Sequence, residues 1–174
     1  RGDTEAIEPN YIYSIDTEPV NVGAIIFDDM DRFPDDPLYG KQWNFRSINV
    51  EEAWKETKGD GVTVAVIDTG VSQITDLKDT EFVPGYDFVN DRVQASDDNG
   101  HGTHVAGTIA QSTNNGYGVA GIAHQAKIMP LKVLSAGGGG TISDIAEAIK
   151  FAADNNADVI NMSLGGGGES ALMK

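Results

Sequence analysis

From residue 50 onward, short runs rich in β-branched residues alternate with longer stretches whose apolar positions recur every three or four residues. Val62-Thr-Val-Ala-Val-Ile67 is a near-continuous apolar run of strand length, the pattern of a strand covered on both faces. Lys127–Leu134 reads as a second strand and Asp158–Ser163 as a third, also buried. Pro130 has no N–H for a ladder and, read in isolation, argues against a strand there. Asn49 is placed to cap a helix over 50–57, with Glu52 three residues on and Lys58-Gly59 closing it. His101 to Ser112 reads as a helix with Val105, Thr108, Ile109 and Ser112 on one face. The clearest helix runs from Thr141 to Asn155. Ile142, Ile145, Ala146, Ile149, Ala152 and Ala153 form its apolar face, and Asp144 and Glu147 load its first turns with negative charge. Strands alternating with helices predict an α/β fold: a doubly wound, mostly parallel sheet with helices on both faces.

Residues 1–33 break this rhythm. Tyr11–Ile15 is strand-like behind Glu8-Pro9-Asn10, Val22–Phe27 is a second apolar run, and Asp28-Asp-Met-Asp31 is acidic. The turn-rich Pro34-Asp-Asp-Pro37 follows. The expectation is an N-terminal segment, 1–33, joined by an acidic linker to a domain that occupies 34–174. The glycine runs 137–140 and 165–168 read, taken alone, as flexible surface loops.

Composition narrows the partners. The chain has 174 residues, 40% hydrophobic and 22% charged, ordinary values for one globular domain. It has no apolar run of about 18 residues, so no membrane-spanning helix is expected. Arg1-Gly-Asp-Thr-Glu5 has no apolar stretch after a basic one, so the chain is expected to be cytosolic or to have lost an upstream segment. The net charge of −15 argues against nucleic acid and anionic membranes as partners and is compatible with binding cations, although solvated acidic loops account for most of the carboxylates. Cysteine is absent, which excludes disulfides, cysteine catalysis and thiolate metal sites.

Two residues stand out as candidate chemistry. Asp68 directly follows the first buried strand, in Val66-Ile-Asp-Thr-Gly70, and functional groups gather at the carboxyl ends of strands in open parallel sheets. An isolated Asp-Thr-Gly is equally a turn cap. His101 opens the second helix, in Asn99-Gly-His-Gly-Thr-His-Val-Ala-Gly-Thr108, behind Asp97 and Asp98. The helix start disfavours an imidazolium there and the carboxylates favour it. His101 could also merely cap the helix, or pair with His104 on a metal, although no third ligand is near. His124 reads as a surface or turn histidine. An aspartic-protease reading of Asp68-Thr-Gly70 needs two such aspartates on an all-β scaffold, and this chain has one such triplet in an α/β pattern.

Val66-Ile-Asp-Thr-Gly-Val71, His101-Gly-Thr-His-Val-Ala-Gly-Thr108, Lys132-Val-Leu134 and Val159-Ile-Asn-Met-Ser-Leu-Gly165 together resemble the subtilisin-like serine proteases, the subtilases. The likeness covers 34–174 and implies a subtilisin-like fold, incomplete in this chain. It implies that Asp68 orients His101 and that His101 shuttles a proton between a serine and the leaving amine. It implies that Ser163, Leu164 and Gly165 form one substrate edge and Gly138, Gly139 and Gly140 the opposite one, with a protein or peptide substrate held extended between them. It implies a structural calcium ion held by Asp36, Asp76, the Asn115 side chain and the carbonyls of Thr113, Tyr117 and Val119. A second cation site around Asp87, Asn90 and Asp91 is weakened by Arg92, which would repel a cation. Glu8-Pro-Asn-Tyr11 resembles the last strand of a subtilase propeptide, and an ordinary N-terminal extension is the alternative. The resemblance also implies an extracellular location.

The family's Gly-Thr-Ser-Met-Ala-like nucleophile motif and its oxyanion-hole asparagine have no counterpart here: Ser163 lies in the edge motif, and Ser135 and Ser143 flank a loop. The expectation is therefore a serine endopeptidase whose Asp and His come from this chain and whose serine comes from a second polypeptide. The competing expectation is a truncated or pseudo-protease fragment with only a binding role.

Overall fold

A computed structural model describes residues 12–14 and 33–166. In chain order the elements are β1 (Ile12–Ser14), the short helices α1 (Trp43–Ser47) and α2 (Val50–Glu56), β2 (Thr63–Asp68), β3 (Tyr86–Asp87), α3 (His101–Ala110), β4 (Lys127–Lys132), β5 (Gly139–Thr141), α4 (Ile142–Asp154), β6 (Val159–Asn161) and β7 (Gly165–Gly166). The expected Val22–Phe27 run and the acidic stretch 28–31 lie outside the described residues.

The central sheet has the order β3-β4-β2-β6, with every pairing parallel. β2 shows why helices cover both faces. Its alternate residues Val64 and Val66 join Ala106 and Ala110 of α3 in one core, while Ala65 and Ile67 join Ile145, Ala148 and Ala152 of α4 in another. A strand so enclosed has no polar face, hence the unbroken apolar run. A third cluster, Tyr39, Phe45, Val50 and Trp54 with Ala120, seats the two short helices. The α/β, doubly wound reading is the observed fold.

Several local expectations need correction. Pro130 does not exclude a strand, because β4 runs through it between β3 and β2. Ile128 spends both its N–H and its carbonyl on the 81–83 segment, so Pro130, two residues on, turns its missing donor to that same side. There the chain detours through Pro84-Gly85 before β3 begins, and no ladder bond is forfeited. Asn49 does stand before α2, but its side chain makes no capping bond; it supplies a left-handed residue, φ 55°. α3 buries Gly102, Thr103, Ala106, Gly107 and Ala110, whereas Thr108 is exposed. Small residues form the packed face because the helix lies close against the turn after β2. In α4, Ala148 belongs to the core and Ala153 is exposed. β6 is not buried: Val159 is 49% and Ile160 36% exposed, because β6 is the last described strand on its side of the sheet.

On the packed face of α3 the closest approach is at Gly102, where a Cβ would lie 2.2 Å from the Gly70 carbonyl oxygen. In an exposed helix Gly→Ala gains about 1 kcal/mol of helix propensity. Here the clash with fixed backbone outweighs that gain, and Gly102→Ala should destabilise the fold by about 1–3 kcal/mol. Urea denaturation checks this; a midpoint equal to or above that of the parent contradicts it.

Candidate active site

Asp68 ends β2 fully buried. Its carbonyl accepts from Val133 N (2.9 Å) and Leu134 N (3.1 Å), and its Oδ1 accepts from Thr69 N (2.7 Å). Gly70, at φ 100°, lets the chain turn away at once; a Cβ there would meet the Ala95 carbonyl at 2.7 Å. His101, the first residue of α3, brings its Nδ1 to 2.8 Å from Asp68 Oδ1 and 3.0 Å from Oδ2. An ionised carboxylate only accepts, so Nδ1 carries the proton and Nε2 presents a lone pair. The ring is 24% exposed, so Nε2 is held on a fixed imidazole at the rim of the protein.

Asp97 sets the aim of this pair. Its Oδ1 accepts from Thr69 Oγ1 (2.8 Å), Asn99 N (2.9 Å) and Gly100 N (2.9 Å), and its Oδ2 from the N–H and hydroxyl of Thr103. Thr69 Oγ1 in turn accepts from Gly102 N at 2.9 Å. The turn after Asp68 and the first turn of α3 are thereby bolted to one carboxylate. Burial pushes the Asp97 carboxyl up, but the bonds from Gly100, Thr103 and Asn99 outweigh it and hold its pKa below the ordinary value. The sequence showed Asp97 only as a nearby charge; its legible signal was its place four residues before His101, where a loop carboxylate can cap the helix.

The two expected substrate edges face each other across β1. Ser14 and Tyr13 stand opposite Gly139 and Gly140 on one side and Gly165 and Gly166 on the other, all antiparallel. Gly138, at φ 77°, makes the turn into β5, and a Cβ on Gly140 would lie 2.0 Å from the Val133 carbonyl. Leu164 packs against the core under α4, and Ser163 donates its hydroxyl to Asn161. Asn99 ties this region to the histidine: its Oδ1 accepts from His101 N and its Nδ2 donates to the Ala136 carbonyl at 2.9 Å.

Most of the expected calcium ligands also converge. Asp36 and Asp76 are buried, and among the described residues neither forms an ion pair. Asp36 accepts from the Asn114 and Asn115 N–H groups, and Asp76 from Asn115 Nδ2 (2.9 Å) and Val119 N (3.1 Å). Tyr117 N reaches Asn115 Oδ1, while Thr113 Oγ1 bonds the Gln111 carbonyl and Gly121 N. Burial, with the charges of Asp35 and Asp76, raises the Asp36 pKa against the two backbone bonds. Two buried carboxylates without a counter-ion, beside the Asn115 amide, fit a hard cation in charge. No cluster of three or more His, Asp or Glu side chains gathers among the described residues, so amide and carbonyl oxygens would have to complete the shell.

At the weaker expected site, Arg92 Nε sits 2.9 Å from Asp87 Oδ2, with Asn90 also donating to Asp87. A guanidinium already neutralises that buried carboxylate. His124 lies in a turn, as one of the two expected readings had it, but is half-buried rather than on the surface, its ring centroid 5.3 Å from that of Trp54 and 6.1 Å from that of Phe33. Burial and the Lys58 charge lower its pKa against the Gly121 backbone.

A family model described as the subtilase family matches residues 59–174. The chain is 41% identical over 163 residues to a thermophilic serine proteinase of Bacillus sp. (strain AK1), covering 92% of this chain and 37% of that protein. It is 40% identical over 177 residues to an extracellular protease of Xanthomonas campestris pv. campestris, covering 78% of this chain and 30% of that protein. The solved structure of fervidolysin from Fervidobacterium pennivorans, a keratinolytic enzyme related to subtilisin, superposes with a TM-score of 0.77 at 32% identity, over 95% of this chain and 27% of that one. The chain thus spans about a third of the length of these curated relatives.

The lowered Asp97 pKa has a sign. Its stabilisation is complete above the unfolded aspartate value, about 3.9, and is lost as the pH falls through the lower folded value. Asp97→Asn should therefore destabilise the protein at neutral pH by about 1–3 kcal/mol and flatten the acid limb. Urea titrations between pH 7 and pH 2 check this; parallel curves for the two proteins contradict it.

Proposed function

Because the chain belongs to the subtilase family, we propose that it supplies the aspartate and histidine of a serine endopeptidase that hydrolyses peptide bonds in proteins. The observation that carries this reading is the buried Asp68 carboxylate, held at 2.8 and 3.0 Å from His101 Nδ1 by its two oxygens. Nε2 then accepts a serine proton as that oxygen attacks the carbonyl, and returns it to the leaving amine. Asp68 stabilises the imidazolium formed between the two transfers.

The hydroxyls of Ser72, Ser135 and Ser163 are committed to the Asp97 carbonyl, the Gly139 carbonyl and Asn161. The serine nucleophile and the oxyanion-hole asparagine are then supplied from outside residues 1–174. The exposed Val159, Ile160 and Met162 beside β6 support a further strand that continues the sheet. A peptide substrate takes the place of β1, paired by its backbone to Gly139–Thr141 and Gly165. Residues 1–33 then act as the propeptide tail and linker of a zymogen, with β1 lying product-like in the cleft. Relatives named as extracellular proteases support a secreted protein. A structural calcium ion held by Asp36, Asp76, Asn115 and the carbonyls of Thr113, Tyr117 and Val119 would neutralise the two carboxylates and fasten the 113–119 loop to the turn at 36.

A fluorophosphonate probe should label a serine outside residues 1–174 and none within them. Labelling within this chain refutes the split-triad reading. In the assembled enzyme His101→Ala should lower kcat roughly a thousandfold or more with little change in substrate binding; a loss below about tenfold ends the assignment. Calcium at 100 times its dissociation constant should add about 2.7 kcal/mol of stability, seen as a higher melting temperature than in chelator. That difference should vanish in Asp76→Asn and shrink as acid protonates Asp36. Superimposable melting curves contradict the site.

A further inference from the structure

Lys132 is the last residue of β4, stands opposite Asp68 in the parallel register, and is fully buried. Its ammonium has three protons and three acceptors: the Thr69 carbonyl at 2.7 Å, the Leu134 carbonyl at 2.8 Å and Asp98 Oδ1 at 2.6 Å. Burying an ammonium costs several kcal/mol, and an apolar side chain of the same length would fill the space without that cost. Two of the three partners are carbonyls, so among the described residues one exposed carboxylate, Asp98 at 51%, is the only charge paired with it. Stability alone is a poor account of this residue.

The partners belong to the three chain segments that make the site. Thr69 is the residue after Asp68. Asp98 lies in the loop that delivers His101, between the Asp97 hub and Asn99, whose side chain holds His101 N. Leu134 begins the segment that runs through Ser135–Gly138 into β5, the edge paired with β1. Asn99 Nδ2 to the Ala136 carbonyl closes the circuit on the outer side. A shift of the β5 edge when a peptide pairs with it thus bears on Leu134, and through one ammonium on the turn of Asp68 and the loop of His101.

We infer that Lys132 is a positioning residue that couples occupation of the β5 edge to the alignment of Asp68 and His101. This rests on the serine endopeptidase reading. It requires that lengthening a substrate along β5 raises turnover, and that Lys132 transmits the gain. Misalignment by about 1 Å can cost a hundredfold in rate, so the gain has room to be large.

The test compares Lys132→Met, Lys132→Arg and Asp98→Asn in the complete enzyme, with a one-residue and a four-residue peptide anilide sharing the same leaving group. The parent should show a higher kcat on the longer substrate. Lys132→Met should lose about tenfold to a hundredfold of kcat on the long substrate and under about threefold on the short one, with KM little changed. Lys132→Arg should recover part of the gain. A merely structural lysine lowers the melting temperature and both rates by one common factor; that result, or a parent with no length effect, overturns the inference. If Lys132→Met does not fold, Asp98→Asn carries the test: it should cut the long-to-short ratio severalfold, and an unchanged ratio overturns the inference. If the parent cleaves neither anilide, the endopeptidase reading has failed. The downfield proton NMR signal of His101 Nδ1 then decides separately, and its equality in the parent and Asp98→Asn overturns the positioning role.

Discussion

A carboxylate with no exposed surface must be satisfied by the protein itself, and the satisfaction of Asp68 organises this fold. Left unpaired at the end of β2 it would cost more than the surrounding core returns. The sheet meets the requirement with the Thr69 N–H and the imidazole of His101, and pins the main chain beneath with Val133 and Leu134. Each donor comes from a different direction. The helix bearing the imidazole must then lie close enough to touch the turn, which is why its packed face is built of Gly102, Ala106 and Ala110.

Two further charges, the partly buried Asp97 and the buried Lys132, extend that logic. Asp97 holds together the turn and the first residues of α3 from outside, and Lys132 holds the turn, the loop and the β5 segment from beneath. The site is therefore carried by polar bonds among three loops, resting on an apolar sheet that only sets their starting points. Rigidity at such a place matters because an imidazole that wanders cannot accept a proton along a fixed line.

How much of this was legible in the sequence depended on what the pattern reports. Val62–Ile67 and the helix from Thr141 announced themselves because their burial is built from large apolar side chains. The face of α3 did not, since glycine and alanine carry little hydrophobic signal and reveal packing only through contact. β6 misled for the opposite reason: Val159-Ile160 has a buried strand's composition, but exposure depends on whether a neighbour exists. Asp68 and His101 were found by motif, and geometry brought them together. Lys132 was visible only as part of a motif, because its partners are backbone carbonyls, which every residue carries. His124 misled because the rings of Trp54 and Phe33 that enclose it come from distant positions.

The pairing of β1 between β5 and β7 has a kinetic consequence. β1 and the two strands it pairs with, β5 and β7, belong to one polypeptide. A strand joined covalently to its partners meets them at a local concentration that dilution of the protein does not change. Free peptides must outcompete it, and raising the protein concentration does not help them. One cut between 15 and 32 turns the same strand into a diffusible ligand whose occupancy falls with dilution.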